Sequence, residues 1–236
     1  MERTSSPAFE FLLGIRDESP ILLGVIPFGM IYGILALTAG LPAGVAQAMS
    51  AVVFAGSAQF LAVKLIGSGA PAPVVILTAF VVNLRHALYS ASIAPRLTRL
   101  SPLWKVMLAY LLTDEAYAVS ITHYSAPIQT SPSVEESSHQ HWYFLGAGLA
   151  LWGAWQLSTA VGIFLGTQVP ASWSLDFTLA LTFIALVVPN IKDRPSAVAA
   201  ITAGVTEMFA YGLPYKLGLV AAALAGILAG LWSEAH

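Results

Sequence analysis

Long apolar runs recur along this chain at short intervals, and they decide which solvent it can fold in. The run from Pro71 to Ala94 is long enough by itself to cross a bilayer, whose hydrocarbon core takes about 20 apolar residues of helix. Others extend from about Ile21 to Leu41, Val45 to Leu65, Trp104 to Ile121, Tyr143 to Gly166, Trp173 to Pro189, Ala197 to Leu213 and Leu217 to Trp232. Only 9% of the 236 residues are charged, against about 25% in soluble domains, so a water-facing surface cannot be covered. Backbone inside lipid must satisfy its own hydrogen bonds, so the runs are read as helices. The expected fold is all-α: a polytopic integral membrane bundle of about six to eight apolar segments, one transmembrane domain over residues 1–236.

Composition excludes several functions. Net charge is −2 with no basic run, which argues against nucleic acid as a partner. The absence of cysteine removes disulfides and thiolate metal sites. No Walker-type glycine-rich loop occurs, so an ATP site is not expected, and neither is any cofactor. His139 and His141 with Glu135 have too few companions for a metal centre. Residues 1–20 read as a cytoplasmic leader, because the apolar patch Phe9 to Ile15 is broken by Glu10 and lacks a small-residue cleavage site.

Lysine and arginine in short loops stay cytoplasmic. The loop with Arg96, Arg99 and Lys105 should therefore be inside, and the polar, Lys- and Arg-free loop 123–141 extracytoplasmic. Counting every segment as a crossing from an internal N-terminus reverses both. The conflict disappears if the second segment, and with it the sixth, enters and returns on one side. Val53-Phe54-Ala55-Gly56 and Val187-Val188-Pro189-Asn190 are then candidate counterparts in broken helices of a weak inverted repeat, the usual setting of a transporter substrate site.

Polar residues within the runs need partners. Arg85 beside His86 costs several kcal/mol at mid-membrane unless paired or hydrated. Arg85 either holds a carboxylate of a substrate or pairs permanently with Asp114 or Glu115; His86 is a candidate proton carrier. On one straight helix Asn83, His86 and Ser90 would share a face, and Arg85, Tyr89 and Ser92 another. Asp114 and Glu115 cannot both stay ionised at depth without compensation, which suits a proton relay or a substrate ammonium. Glu207 has the same two readings, with a structural one favoured. Gly56-Ser57-Ala58-Gln59 supplies backbone N–H groups, a hydroxyl and an amide where a helix would break, suited to a carboxylate or to close packing. Candidate substrate-binding residues are thus Gly56, Ser57, Gln59, Asn83, Arg85 and Tyr89, with Phe54 and Phe60 beside an aliphatic side chain. Candidate proton or ammonium residues are His86, Asp114 and Glu115. Gly29 with Gly33, Gly162 with Gly166, and Gly226 with Gly230 are small-residue packing faces. A hydrolase using Ser57 and His86 would need hydrogen-bond reach between them and an oxyanion site.

Pro27-Phe28-Gly29 with Gly33, Ala55-Gly56-Ser57-Ala58-Gln59-Phe60, Asn83-Leu84-Arg85-His86 and Thr113-Asp114-Glu115 occur in that order. Gly146-Ala147-Gly148-Leu149, Trp155-Gln156-Leu157-Ser158-Thr159 and Leu175-Asp176-Phe177 follow. Together they resemble the AzlC family over nearly the whole chain. The resemblance implies the large subunit of a two-component exporter of branched-chain amino acids, L-valine and similar substrates such as methionine, in the bacterial inner membrane. It also implies a small AzlD-type membrane protein as obligate partner. No enzymatic activity and no residue-level mechanism come with it; proton antiport is the expected drive. A scaffold subunit that moves nothing by itself is the other reading.

Overall fold

A computed structural model describes residues 6–125, 139–167, 191, 193–213 and 217–234. It is all-helical among them, and four helices or helix runs are long and apolar enough to span a membrane, slightly fewer than the expected segments. The sixth segment, with Asp176, Pro189 and Asn190, lies outside the described residues. The chain divides into two compact units: residues 1–60 with 82–168, and residues 61–81 with 169–236.

The first unit is built on helix α1 (Pro7–Thr38). Ser6 caps it, its hydroxyl accepting from the Phe9 amide at 3.2 Å, and Pro7 sets its first turn. Residues 7–20, expected as a leader, are its opening turns, with Glu10, Gly14 and Glu18 buried one above another. Pro20 within the helix cannot donate to the Arg16 carbonyl; the Ser19 hydroxyl does so instead, at 2.7 Å. α1 packs against α8 (Gln140–Gly166) through glycines on both helices. An added Cβ at Gly33 would meet backbone of Thr159, Gly162 and Ile163; at Gly146, the Phe11 carbonyl; at Gly162, the Met30 carbonyl. Contacts advance together, Phe11 with Gly146 and Met30 with Gly162, so the two helices run parallel.

Short helices make up the described chain between α1 and α8. α2 (Ala43–Val53) ends on Phe54 in the left-handed region, φ 37°, and α3 (Gly56–Gly67) starts two residues later. α4 (Ala72–Asn83) gives way at Leu84 to α5 (Arg85–Ile93), followed by a 3-10 turn, Ala94–Leu97. α6 (Pro102–Tyr110) and α7 (Asp114–Ser125) are separated by residues 111–113. At about 14 and 18 Å, neither α6 nor α7 crosses a hydrocarbon core of about 30 Å.

α6 and α7 form a helical hairpin against α8. Trp104 at the start of α6 packs edge-on against Trp142, ring centroids 5.0 Å apart. Tyr110 at its end accepts from Trp152 Nε1 at 2.7 Å, about 15 Å further along α8. α7 then returns, and His123 stacks on Tyr143 with centroids 3.8 Å apart. The described flanks of the polar loop therefore lie at the end of the unit that holds Glu10, which meets His123 at 3.3 Å. Arg96 is there too, donating to the Tyr124 carbonyl at 2.7 Å.

Glu10 and His123, expected on opposite sides of the membrane, are in contact. By the Lys and Arg rule, Arg96, Arg99 and Lys105 make this shared end the one expected inside. Among the described residues the fourth segment is also broken, at 111–113; the sixth lies outside them.

In the second unit, α9 (Arg194–Ala210) and α10 (Leu217–Glu234) form an antiparallel hairpin. Gly218 faces the Ala210 carbonyl, while Gly226 and Gly230 face Ala199. Asp193 caps α9, accepting from the Ser196 amide at 2.8 Å, and this bond holds its carboxyl below the usual carboxylate range. A lowered folded value means the cap is complete above the ordinary carboxylate pKa and is lost as pH falls through the lowered one. Asp193→Asn should therefore remove the acid-induced fraying of the first turn of α9, read as amide exchange at Ser196 and Ala197 between pH 6 and about 3; unchanged fraying in the variant would show that another group controls it.

Candidate functional site

Helix breaks bring the motif residues together. Residues 54–55, Leu84 and residues 111–113 interrupt helical segments, and each restart carries residues expected at the site: Gly56 and Ser57, Arg85 and His86, Asp114 and Glu115. At the third, Thr113 acts as cap, its Oγ1 accepting from the Ala116 amide at 3.3 Å. Two acidic residues in the first turn of α7 suit the positive end of its dipole. The break at 111–113 was not expected, since Trp104 to Ile121 reads as unbroken apolar sequence; Thr-Asp-Glu is the capping signal that marks it.

Arg85 joins the three restarts. One guanidinium nitrogen donates to Ser57 Oγ at 2.7 Å and the other forms an ion pair with Asp114. These side chains are 33% and 35% exposed, so the pair is neither sealed nor at a free surface. Arg85 Nε, Asp114 Oδ1 and Asn83 Oδ1 are buried without hydrogen-bond partners among the described residues. Polar atoms in this state suit a ligand that supplies both donors and acceptors. Tyr89 lies close enough to Asp114 to interact with it and stacks on Tyr117 at 4.5 Å. The break at Leu84 ends the straight-helix register, so Asn83 does not continue one regular face through His86 and Ser90. His86 packs against Tyr89 with ring centroids 5.9 Å apart.

Gln59 sits behind this cluster. It is fully buried; its Oε1 accepts from Trp155 Nε1 at 3.2 Å, while its Nε2 makes no well-formed hydrogen bond among the described residues, the Tyr32 hydroxyl being near enough to interact with it. Gly56 is held against the same indole, where an added Cβ would come within 3.0 Å of the Trp155 ring. Phe54 and Phe60, expected beside a substrate, are buried: Phe54 against Tyr110, Phe60 against Phe28 and Tyr32. Gln59→Leu separates two roles. If the orphan amide serves a ligand, the variant should keep its folded yield and lose transport at least fivefold, as initial efflux rate per folded molecule; retained transport would make Gln59 a packing residue.

Ser57 Oγ receives its hydrogen bond from Arg85, and no Ser57–His86 hydrogen bond occurs among the described residues. No cluster of three metal-ligating side chains occurs among the described residues. Sequence reading did not single out Glu18, Tyr110 or Trp155 as site residues. Glu18 had one available signal, its i, i+4, i+8 spacing from Glu10 and Gly14 on one helix face.

Fold and site define a multi-pass helical membrane protein whose broken helices restart around a shared charged cluster. The chain belongs to the AzlC family: the profile described as AzlC protein matches residues 20–169. An uncharacterized membrane protein of Archaeoglobus fulgidus is 30% identical over 94% of this chain and 94% of its own length. The inner membrane protein YgaZ of Escherichia coli is 24% identical over 95% and 93%. The branched-chain amino acid transport protein AzlC of Bacillus subtilis is 26% identical over 82% and 74%. No solved structure matches the chain significantly.

Proposed function

We propose that this protein is the large subunit of a secondary exporter of branched-chain amino acids, L-valine foremost and methionine among similar substrates. The observation that carries the reading is the Ser57–Arg85–Asp114 link at three helix restarts. An amino acid presents a carboxylate and an ammonium a few ångströms apart. Arg85 with the free amides at the start of α3 matches the first; Asp114 and Glu115 match the second. In the resting arrangement Arg85 and Asp114 satisfy each other, and the substrate opens the pair by offering each a replacement partner. The printed name of the Bacillus subtilis relative supports the substrate class. Protons drive export in this reading, and a small AzlD-type membrane protein completes the transporter.

The test is efflux of labelled L-valine from preloaded cells expressing this chain with an AzlD-type subunit, each alone, or neither. Efflux accelerated only by the pair is expected. Equal rates in all four strains would overturn the reading, and acceleration by the chain alone would remove the partner from it.

A further inference from the structure

Glu18 is fully buried in α1, and neither carboxylate oxygen has a hydrogen-bond partner among the described residues. An ionised carboxylate there would have neither water nor a donor, a state that costs far more than taking up a proton. Its titratable and charged surroundings are known from each element packed on α1. From α7 comes Glu115, near enough for the two charges to interact, with Asp114 and Arg85 next to it. From α8 comes Tyr143, whose hydroxyl donates to Asp17 at 2.9 Å and which also senses Glu18. α2 contributes no titratable group. On α1 itself, Arg16 and Asp17 are at exposed positions, and Glu10, two turns earlier, is engaged by His123.

Glu18 thus lies between the basic end of the unit and the Arg85 cluster. Asp17, at an exposed position and bonded to Tyr143, lies on one side; Glu115 and Asp114 mark the site side. We propose that Glu18 is the proton relay between them, exchanging one proton with Glu115 and, on the other side, with water near Asp17. The step moves a proton from one carboxyl oxygen to another, and no other bond changes. Two carboxyls near enough for their charges to interact and out of water hold one proton between them more readily than none. Ionisation of Glu115 beside Arg85 would then leave the proton on Glu18.

This inference rests on the transport reading for its driving role, and two measurements separate the two. Glu18→Gln is isosteric and neutral. In vesicles holding the chain and its partner, Glu18→Gln should retain valine counterflow at matched pH and lose at least tenfold of the transport driven by a pH gradient. A wild-type response to the gradient would overturn the relay and leave the transport reading standing. Infrared difference spectra of the detergent-solubilised protein need no transport: a protonated carboxyl band at neutral pH should be present in the wild type and absent in Glu18→Gln. Persistence of that band would overturn the assignment even if valine proves not to be the substrate. Should Glu18→Gln fail to fold, Glu115→Gln replaces it: the band should remain while gradient-driven transport falls, and loss of the band or full transport would count against the relay.

Discussion

Gly162→Val should leave little folded protein. The Cβ of valine would fall on the Met30 carbonyl of α1, which is backbone and cannot swing aside as a flexible side chain would. Overpacking ordinarily costs about 1–3 kcal/mol, and the obstacle here is a helix that meets α8 along most of its length. Lipid tails are as apolar as leucine, so helices gain little by hiding from lipid; close packing is what holds them. A loss of even about 1.4 kcal/mol lowers an equilibrium tenfold. The expected result is at least a tenfold fall in monodisperse protein on size-exclusion chromatography in mild detergent. Gly153→Ala is the control, since nothing lies within 4 Å of its added Cβ. Wild-type yield from Gly162→Val would mean that α1 and α8 are held by something other than their glycine faces.

Asp114→Asn should cut valine efflux more than tenfold while the protein still reaches the membrane. Arg85 keeps its bond to Ser57 but loses its counter-charge. A deeply buried pair broken in this way costs about 3–5 kcal/mol, an exposed one about 0–1 kcal/mol. Side chains that are 33% and 35% exposed belong near the lower bound, so the fold should survive. The charge-swapped double variant Arg85→Asp with Asp114→Arg distinguishes two roles. Rescue of efflux would show that Arg85 serves only to hold α5 against α7. Continued loss at normal folded yield is expected if each charge meets its own end of the substrate. Normal efflux in Asp114→Asn would remove the pair from the mechanism.

The same pair shows how far the linear sequence could be read. That an arginine inside an apolar run needs a partner follows from the cost of charge in hydrocarbon, and Asp114 was one of two candidates. Choosing between Asp114 and Glu115 required the cap at Thr113, because the first turn of α7 points adjacent side chains about 100° apart: one towards Arg85, the other towards α1 and Glu18. The break at Gly56 was legible from a glycine and a glutamine at mid-segment. The break at Leu84 was not, since leucine carries no breaking preference, and the Thr113-Asp114-Glu115 cap that marks the break at 111–113 was passed over inside an apolar run. Glu18 was passed over because it stands beside Arg16 and Asp17, where a charged run reads as solvated.

Sequence by itself determined the solvent, the helical class, the glycine faces and the residues able to carry charge chemistry. Each of these follows from local composition: apolar length against bilayer thickness, and small side chains where backbones must touch. Tertiary structure alone decided which way the segments run. Hydropathy measures how much apolar chain is present but not whether it turns back, so α6 and α7 read as one span until Trp104 and His123 were both found beside the start of α8. It also decided that Glu18 is buried, because the loss of water around a carboxyl is a property of the helices packed over it.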